Sequence, residues 1–124
     1  MKPAQISFVK ECLPAALSAG AAFNMNPLAI LAQAALESGW GTSNLAREPR
    51  NYFGMTAYGC SNAYWHGGKT TVKGRSYSLD FRRYDTRENS FLDFARLIRN
   101  NYRSAWQVSN DPQAYAKEIA YSPY

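Results

Sequence analysis

The sequence predicts a mainly α domain of α+β type with one small β-hairpin lobe, and three observations predict it. Apolar residues recur at helical spacing in the first and last thirds of the chain, while a glycine-punctuated stretch from Gly54 to Tyr84 breaks that spacing. Within the stretch, Tyr77, Leu79 and Phe81 alternate with Ser78, Asp80 and Arg82 as the residues of a half-buried strand do. A length of 124 residues fits one domain, 1–124, with the lobe at about 55–84.

In chain order, Ile6, Val9, Leu13, Ala16 and Leu17 form the stripe of an amphipathic scaffold helix, with Pro14 expected to kink it. Asn26 followed by Pro27 is a helix start: a side-chain cap, then a residue whose missing N–H costs nothing there. That helix runs from Leu28 to Ser38 before Gly39. It is apolar on nearly every side, interrupted only by Gln33 and Glu37, so it is expected to be the central buried helix. Thr42 or Ser43 caps a short helix through Arg47, which Pro49 stops. After the lobe, Asp85 with Glu88 reads as a capping box ahead of Phe91, Phe94, Ala95, Ile98 and Tyr102. Asp111 and Pro112 open a last short helix carrying Tyr115, Ala116 and Ile119, which ends near Tyr121.

A composition 46% hydrophobic and 15% aromatic gives enough apolar surface to offset the entropy of ordering, which argues against disorder. The stretch Arg47 to Arg87 holds eight basic residues against Glu48, Asp80 and Asp85, so it carries all of the formal charge of +5. No stretch approaches the roughly 18 apolar residues of a membrane span, and no signal-peptide pattern opens the chain, so membrane insertion is not expected. Cys12 and Cys60 are too few for a disulfide scaffold and match no zinc spacing; free, mostly buried thiols are expected, with a Cys12–Cys60 bridge left open.

Glu37 is the residue with chemical promise. It lies in the last turn of an apolar helix, where the helix dipole presents partial negative charge and burial strips water from a carboxylate. Both effects raise its pKa toward the range a general acid needs, and Gly39 and Gly41 around Trp40 leave room for a substrate at that helix end. A surface glutamate with no such role remains the alternative on position alone.

The run Ala32-Gln33-Ala34-Ala35-Leu36-Glu37-Ser38-Gly39-Trp40-Gly41, then Ser43-Asn44-Leu45-Ala46, then Asn51-Tyr52-Phe53-Gly54-Met55, resembles the signature of the bacterial peptidoglycan N-acetylglucosaminidases. These form glycoside hydrolase family 73, which includes autolysins and the hydrolase domain of the flagellar rod protein. The likeness continues at Phe81-Arg82-Arg83-Tyr84, at Glu88-Asn89-Ser90-Phe91-Leu92-Asp93, and more faintly at Ile119 to Tyr124. The resemblance implies a lysozyme-like helical fold with a β-lobe bordering a cleft, Glu37 as general acid, and Tyr121 as the phenol beside it that stabilises charge or orients an N-acetyl group.

The family often places a second carboxylate in a Thr-rich stretch of the lobe. Here that stretch reads Thr70-Thr71-Val72-Lys73-Gly74, and no Asp or Glu stands between Glu48 and Asp80. Three sources of the second group stay open. Asp80 supplies a base from the last lobe strand, unless it merely pairs with Arg82 or Arg83. Alternatively the substrate's own N-acetyl oxygen attacks, or a muramic 6-hydroxyl does, as in lytic transglycosylases.

Expected substrate contacts are Gln33, Trp40, Asn51, Tyr52, Phe53, Tyr64 and Trp65, since flat rings suit the apolar faces of pyranoses; core packing is the alternative for each ring. The basic lobe suits anionic wall polymers or is simply a solvated surface, and nothing resembles a nucleic-acid module. One His and two scattered Cys offer no ligand cluster, so neither metal nor cofactor is expected. A Cys60–His66 amidase or peptidase is the rival enzyme, and a wall-binding module without turnover the rival non-enzyme. The resemblance thus implies a monomer acting on peptidoglycan glycan strands in the periplasm, cell wall or exterior.

Overall fold

The computed structural model describes all 124 residues. The elements in order are α1 (Pro3–Phe23), α2 (Pro27–Ser38), α3 (Asn44–Arg47), β1 (Lys69–Lys73), β2 (Ser78–Arg82), α4 (Arg87–Asn101), α5 (Arg103–Gln107) and α6 (Pro112–Ala120). The mainly α architecture with one hairpin therefore holds.

α1 packs against both α2 and α4. Its buried face is Phe8, Cys12, Ala15, Ala16, Ala19 and Gly20, rotated from the expected stripe; Ile6 and Leu17 stand 41% and 51% exposed. Small side chains won the inner face because they let two helices approach closely. The helix continues through Pro14, whose missing N–H leaves one carbonyl without its intrahelical donor. By length and composition α1 is apolar enough to cross a membrane, although charged residues interrupt it, and its inner face belongs to the core. The chain turns at Asn24, in left-handed conformation at φ 51°, and a Cβ on Gly20 would come within 2.6 Å of the Met25 carbonyl. Only glycine lets α2 fold back this tightly.

Asn26 caps α2 through the Leu28 N–H at 3.0 Å. Contrary to expectation, α2 is not buried all round: Ile30, Leu31, Ala34 and Ala35 face the core, while Leu28 and Leu36 stand 63% and 80% exposed. α4 completes the core with Phe91, Phe94, Ala95 and Ile98, and Phe53 stacks on Phe94 with ring centres 3.9 Å apart. Its cap is Thr86, which accepts from the Asn89 N–H at 3.1 Å, because Asp85 is engaged by His66. α5, five residues without a side-chain cap, gave no sequence signal.

β1 and β2 pair antiparallel from Lys69↔Arg82 to Lys73↔Ser78. Met55 to Ala57 runs along the other edge of β2 through a Thr56↔Phe81 bridge and bonds to Arg82 N–H and the Asp80 carbonyl. The hairpin is more exposed than its alternation suggests, with Tyr77 and Leu79 58% and 41% open to solvent.

Candidate active site

Glu37 is the penultimate residue of α2. Gly39, Trp40 and Gly41 follow with positive φ, turning the chain sharply off the helix axis and leaving the helix end open. Ser38 pins this turn: its hydroxyl donates to the Ala34 carbonyl at 2.6 Å and accepts from the Gly41 N–H at 2.8 Å. Gly41 sits against Phe8, where an added Cβ would lie 3.2 Å from the ring. The direction of the Glu37 side chain is therefore set by buried contacts one residue away.

Two grooves meet at Glu37. The first, of about 660 Å³, lies between the helical body and the lobe, and its walls include Phe53, Tyr58, Tyr102 and Tyr124 together with Asn62 and Arg82. The second, of about 610 Å³, runs between α2 and α6 along Leu28, Ala32, Leu36, Ala116 and Ile119. Glu37 is the one carboxylate lining either groove. Burial pushes its carboxyl above the usual value, and no Lys or Arg stands within ion-pair distance to pull it back.

Tyr124, rather than Tyr121, is the phenol that faces Glu37. Burial and then the Glu37 charge push its pKa up, so it stays a hydrogen-bond donor at neutral pH. Its hydroxyl donates to the Phe53 carbonyl at 3.3 Å. Gln33, lining the second groove, accepts from the Tyr115 hydroxyl at 2.6 Å. Tyr121 caps the end of α6, is 84% exposed and lines neither groove.

The lobe wall of the first groove is hung on one buried carboxylate. Asp93 of α4 has no exposed surface and receives Arg82 at 2.7 Å, the Tyr84 hydroxyl at 2.5 Å, Arg96 at 2.9 Å and the Asn62 amide at 3.0 Å. Burial alone would raise its pKa, but Tyr84, Arg82 and Arg96 outweigh that and hold it below the usual carboxylate range. Arg82 spends its remaining donors on the Thr56 and Tyr58 carbonyls, at 3.2 and 2.6 Å, and lies 4.2 Å from the centre of the Trp65 ring. Asp93 lies across α4 from the apolar stripe of Phe91, Phe94, Ala95 and Ile98, so hydrophobic spacing gives no sign of this network, although Arg82, Tyr84 and Asp93 all fall in the blocks that carry the family resemblance.

Of the other expected site residues, Phe53 lines the first groove, whereas the rest are engaged elsewhere. Trp40 packs edge-on against Phe8 with ring centres 5.7 Å apart, and Tyr64 does the same to Phe23 at 5.9 Å. Tyr52 is buried against Phe8 and Phe91. Asn51 is wholly buried and clasps its own loop, bonding Met55 and the Arg82 carbonyl. Trp65 is buried beneath Arg82, its indole N–H donating to the Gly68 carbonyl at 2.8 Å. Asp80 is exposed, accepts the Thr71 hydroxyl at 2.7 Å and lines neither groove; Arg82 and Arg83 pair with Asp93 and Glu48 instead. Both cysteines are free, as expected, but only Cys12 is buried, with Cys60 exposed. His66 turns one ring nitrogen to Asp85 and the other to the Ala63 carbonyl, so neither addresses Cys60.

Residues 13–124 match the glucosaminidase family, described as mannosyl-glycoprotein endo-beta-N-acetylglucosaminidase. The chain is 30% identical over 131 residues to the peptidoglycan hydrolase FlgJ of Vibrio parahaemolyticus, a match covering 95% of this chain and 41% of that protein. It is 31% identical over 104 residues to a putative endo-beta-N-acetylglucosaminidase of Streptococcus pneumoniae, covering 82% of this chain and 14% of the relative. It therefore spans well under half the length of these relatives. Among solved structures, the glycoside hydrolase domain of Salmonella typhimurium FlgJ superposes with a TM-score of 0.74 at 27% identity, covering 97% of this chain and 76% of that one. The catalytic domain of the Listeria monocytogenes autolysin Auto gives 0.74 at 25% identity, covering 100% and 78%. With the family match running over nearly the whole chain and the same fold in its relatives, this chain belongs to the endo-beta-N-acetylglucosaminidase family of glycoside hydrolases.

Proposed function

We propose that the chain cleaves the glycan strand of peptidoglycan on the reducing side of N-acetylglucosamine, acting outside the cytoplasm, with Glu37 as general acid. The observation that carries the reading is that the single groove-lining carboxylate is also the one raised by burial with no cation beside it. The first groove suits the saccharide: its rings match pyranose faces, and Thr56 and Asn101 offer polar side chains near them.

With no second carboxylate at the groove, the substrate's N-acetyl group serves as nucleophile. Its carbonyl oxygen bonds to the anomeric carbon as the glycosidic bond breaks, and Glu37 gives its proton to the departing muramic O4. The resulting oxazolinium ion is opened by water, whose proton returns to the Glu37 carboxylate. Tyr124 stays neutral beside this chemistry, and its hydroxyl, once turned from the Phe53 carbonyl, would donate to the acetamido group or to Glu37. Asp80, away from both grooves, has no part in it.

Digestion of purified peptidoglycan, with mass spectrometry of the new chain ends, tests the reading. Reducing N-acetylglucosamine ends with retained β configuration are the expected product. Anhydromuramic ends would assign a transglycosylase, which also needs only one carboxyl, and binding without new ends would leave a wall-binding module.

A further inference from the structure

The two grooves that share Glu37 are chemically unlike. Rings and polar side chains line the first, whereas the second presents the aliphatic Leu28, Ala32 and Leu36 of α2 opposite Ala116 and Ile119 of α6, with no exposed aromatic face among them. Aliphatic walls poor in hydrogen-bonding groups suit hydroxyl-rich sugars badly and suit methyl groups well. Yet this groove begins at the same carboxyl, beside Leu36, which stands one helical turn along from Ala32.

The substrate's covalent structure says what lies there. The oxygen that Glu37 protonates is O4 of the muramic acid, and C3, next to the carbon that bears it, carries the lactyl ether whose carboxyl continues into the alanine of the stem peptide. A lactyl methyl therefore hangs a few bonds from the proton-transfer site, with the alanyl methyl one amide link further on. From the adjacency of this aliphatic groove to Glu37 we infer that it is a subsite for the lactyl–alanyl head of the stem peptide, and that it selects peptide-bearing strands over bare glycan. The inference rests on the proposed glucosaminidase reading.

Leu36 is 80% exposed, so replacing it does not empty the core. The wild-type chain should show kcat/KM about tenfold higher on stem-bearing glycan than on the same glycan with its stems removed by an amidase, the discrimination a methyl-sized group earns in an apolar pocket. Leu36→Asp should bring that ratio close to one, and Leu36→Met should restore it. Equal rates for wild type on both substrates, or a ratio unmoved by Leu36→Asp, overturns the subsite.

Binding separates this failure from that of the parent reading. Methyl resonances of Leu28, Leu36 and Ile119 should shift on adding N-acetylmuramyl-L-alanyl-D-isoglutamine and not on adding chitobiose, whether or not any strand is cut. Shifts with cleavage absent would keep the subsite and sink the hydrolase. No shift, or shifts that follow protein concentration without ligand as a second copy of the chain would cause, sinks the subsite.

Discussion

The helical body and the lobe are built on opposite principles. The body is one apolar cluster of twenty residues drawn chiefly from α1, α2 and α4, to which the lobe contributes only Met55. Across residues 55–84 the buried side chains are Met55, Trp65, Arg82 and Tyr84. Arg82 and Tyr84 bond Asp93, Trp65 lies under Arg82, and the Tyr84 hydroxyl also touches the Met55 sulfur at 3.4 Å. The lobe thus hangs from a charge on α4, and one face of the first groove is held by directional bonds where the other is held by packing. Packing tolerates small shifts, while a buried ion network loses most of its energy when one member goes.

The comparison is tested hardest at Glu37, the proposed acid, which the body alone supplies. Glu37→Gln should lower kcat by about 10² to 10⁴, the usual contribution of a general acid, with the melting temperature unmoved. Because burial raises this carboxyl, the protonated form persists above the ordinary glutamate range, and activity should fall as pH rises through the raised pKa. Residual turnover near wild type would move the chemistry elsewhere.

Asp93→Asn should cost about 3 kcal/mol, because Arg82 and Arg96 keep their charges and lose the partner that justified burying them. The loss should appear first as faster hydrogen exchange across Met55 to Trp65, before α1 and α2 loosen. Since the native Asp93 pKa is depressed, its contribution is present above the unfolded value and disappears as pH falls through the native one. Uniform loosening of body and lobe would erase the distinction. Asp80→Asn is the smallest effect: within about 0.5 kcal/mol in stability and twofold in rate, as befits an exposed strand residue bonded to Thr71. A rate collapse there would return a lobe carboxylate to the mechanism.

Much of the helical body was legible because its signals are local. Asn26-Pro27, Ser43 and Asp111 cap where the sequence says they do, and Gly39 ends α2. What could not be read depends on tertiary partners. The inner face of α1 was misplaced because alanines bury as completely as larger residues when helices come close, and Thr86 became the cap only because Asp85 found His66. The same applies at the candidate site. Glu37 and Phe53 border the groove, but most aromatic residues expected there pack inward, and the phenol by the acid is Tyr124, three residues beyond Tyr121 once α6 has ended. Asp93 and Arg82 were missed because a charge pair eleven residues apart across a strand-to-helix connection has no sequence period.

The two thiols are chemically unequal. Burial pushes Cys12 up to about 11, leaving it silent toward alkylating reagents at neutral pH, whereas Cys60 stands exposed on the margin of the ring-lined groove. This chain accordingly carries one addressable attachment point, and a fluorophore coupled there would report saccharide arrival and departure without any engineered residue.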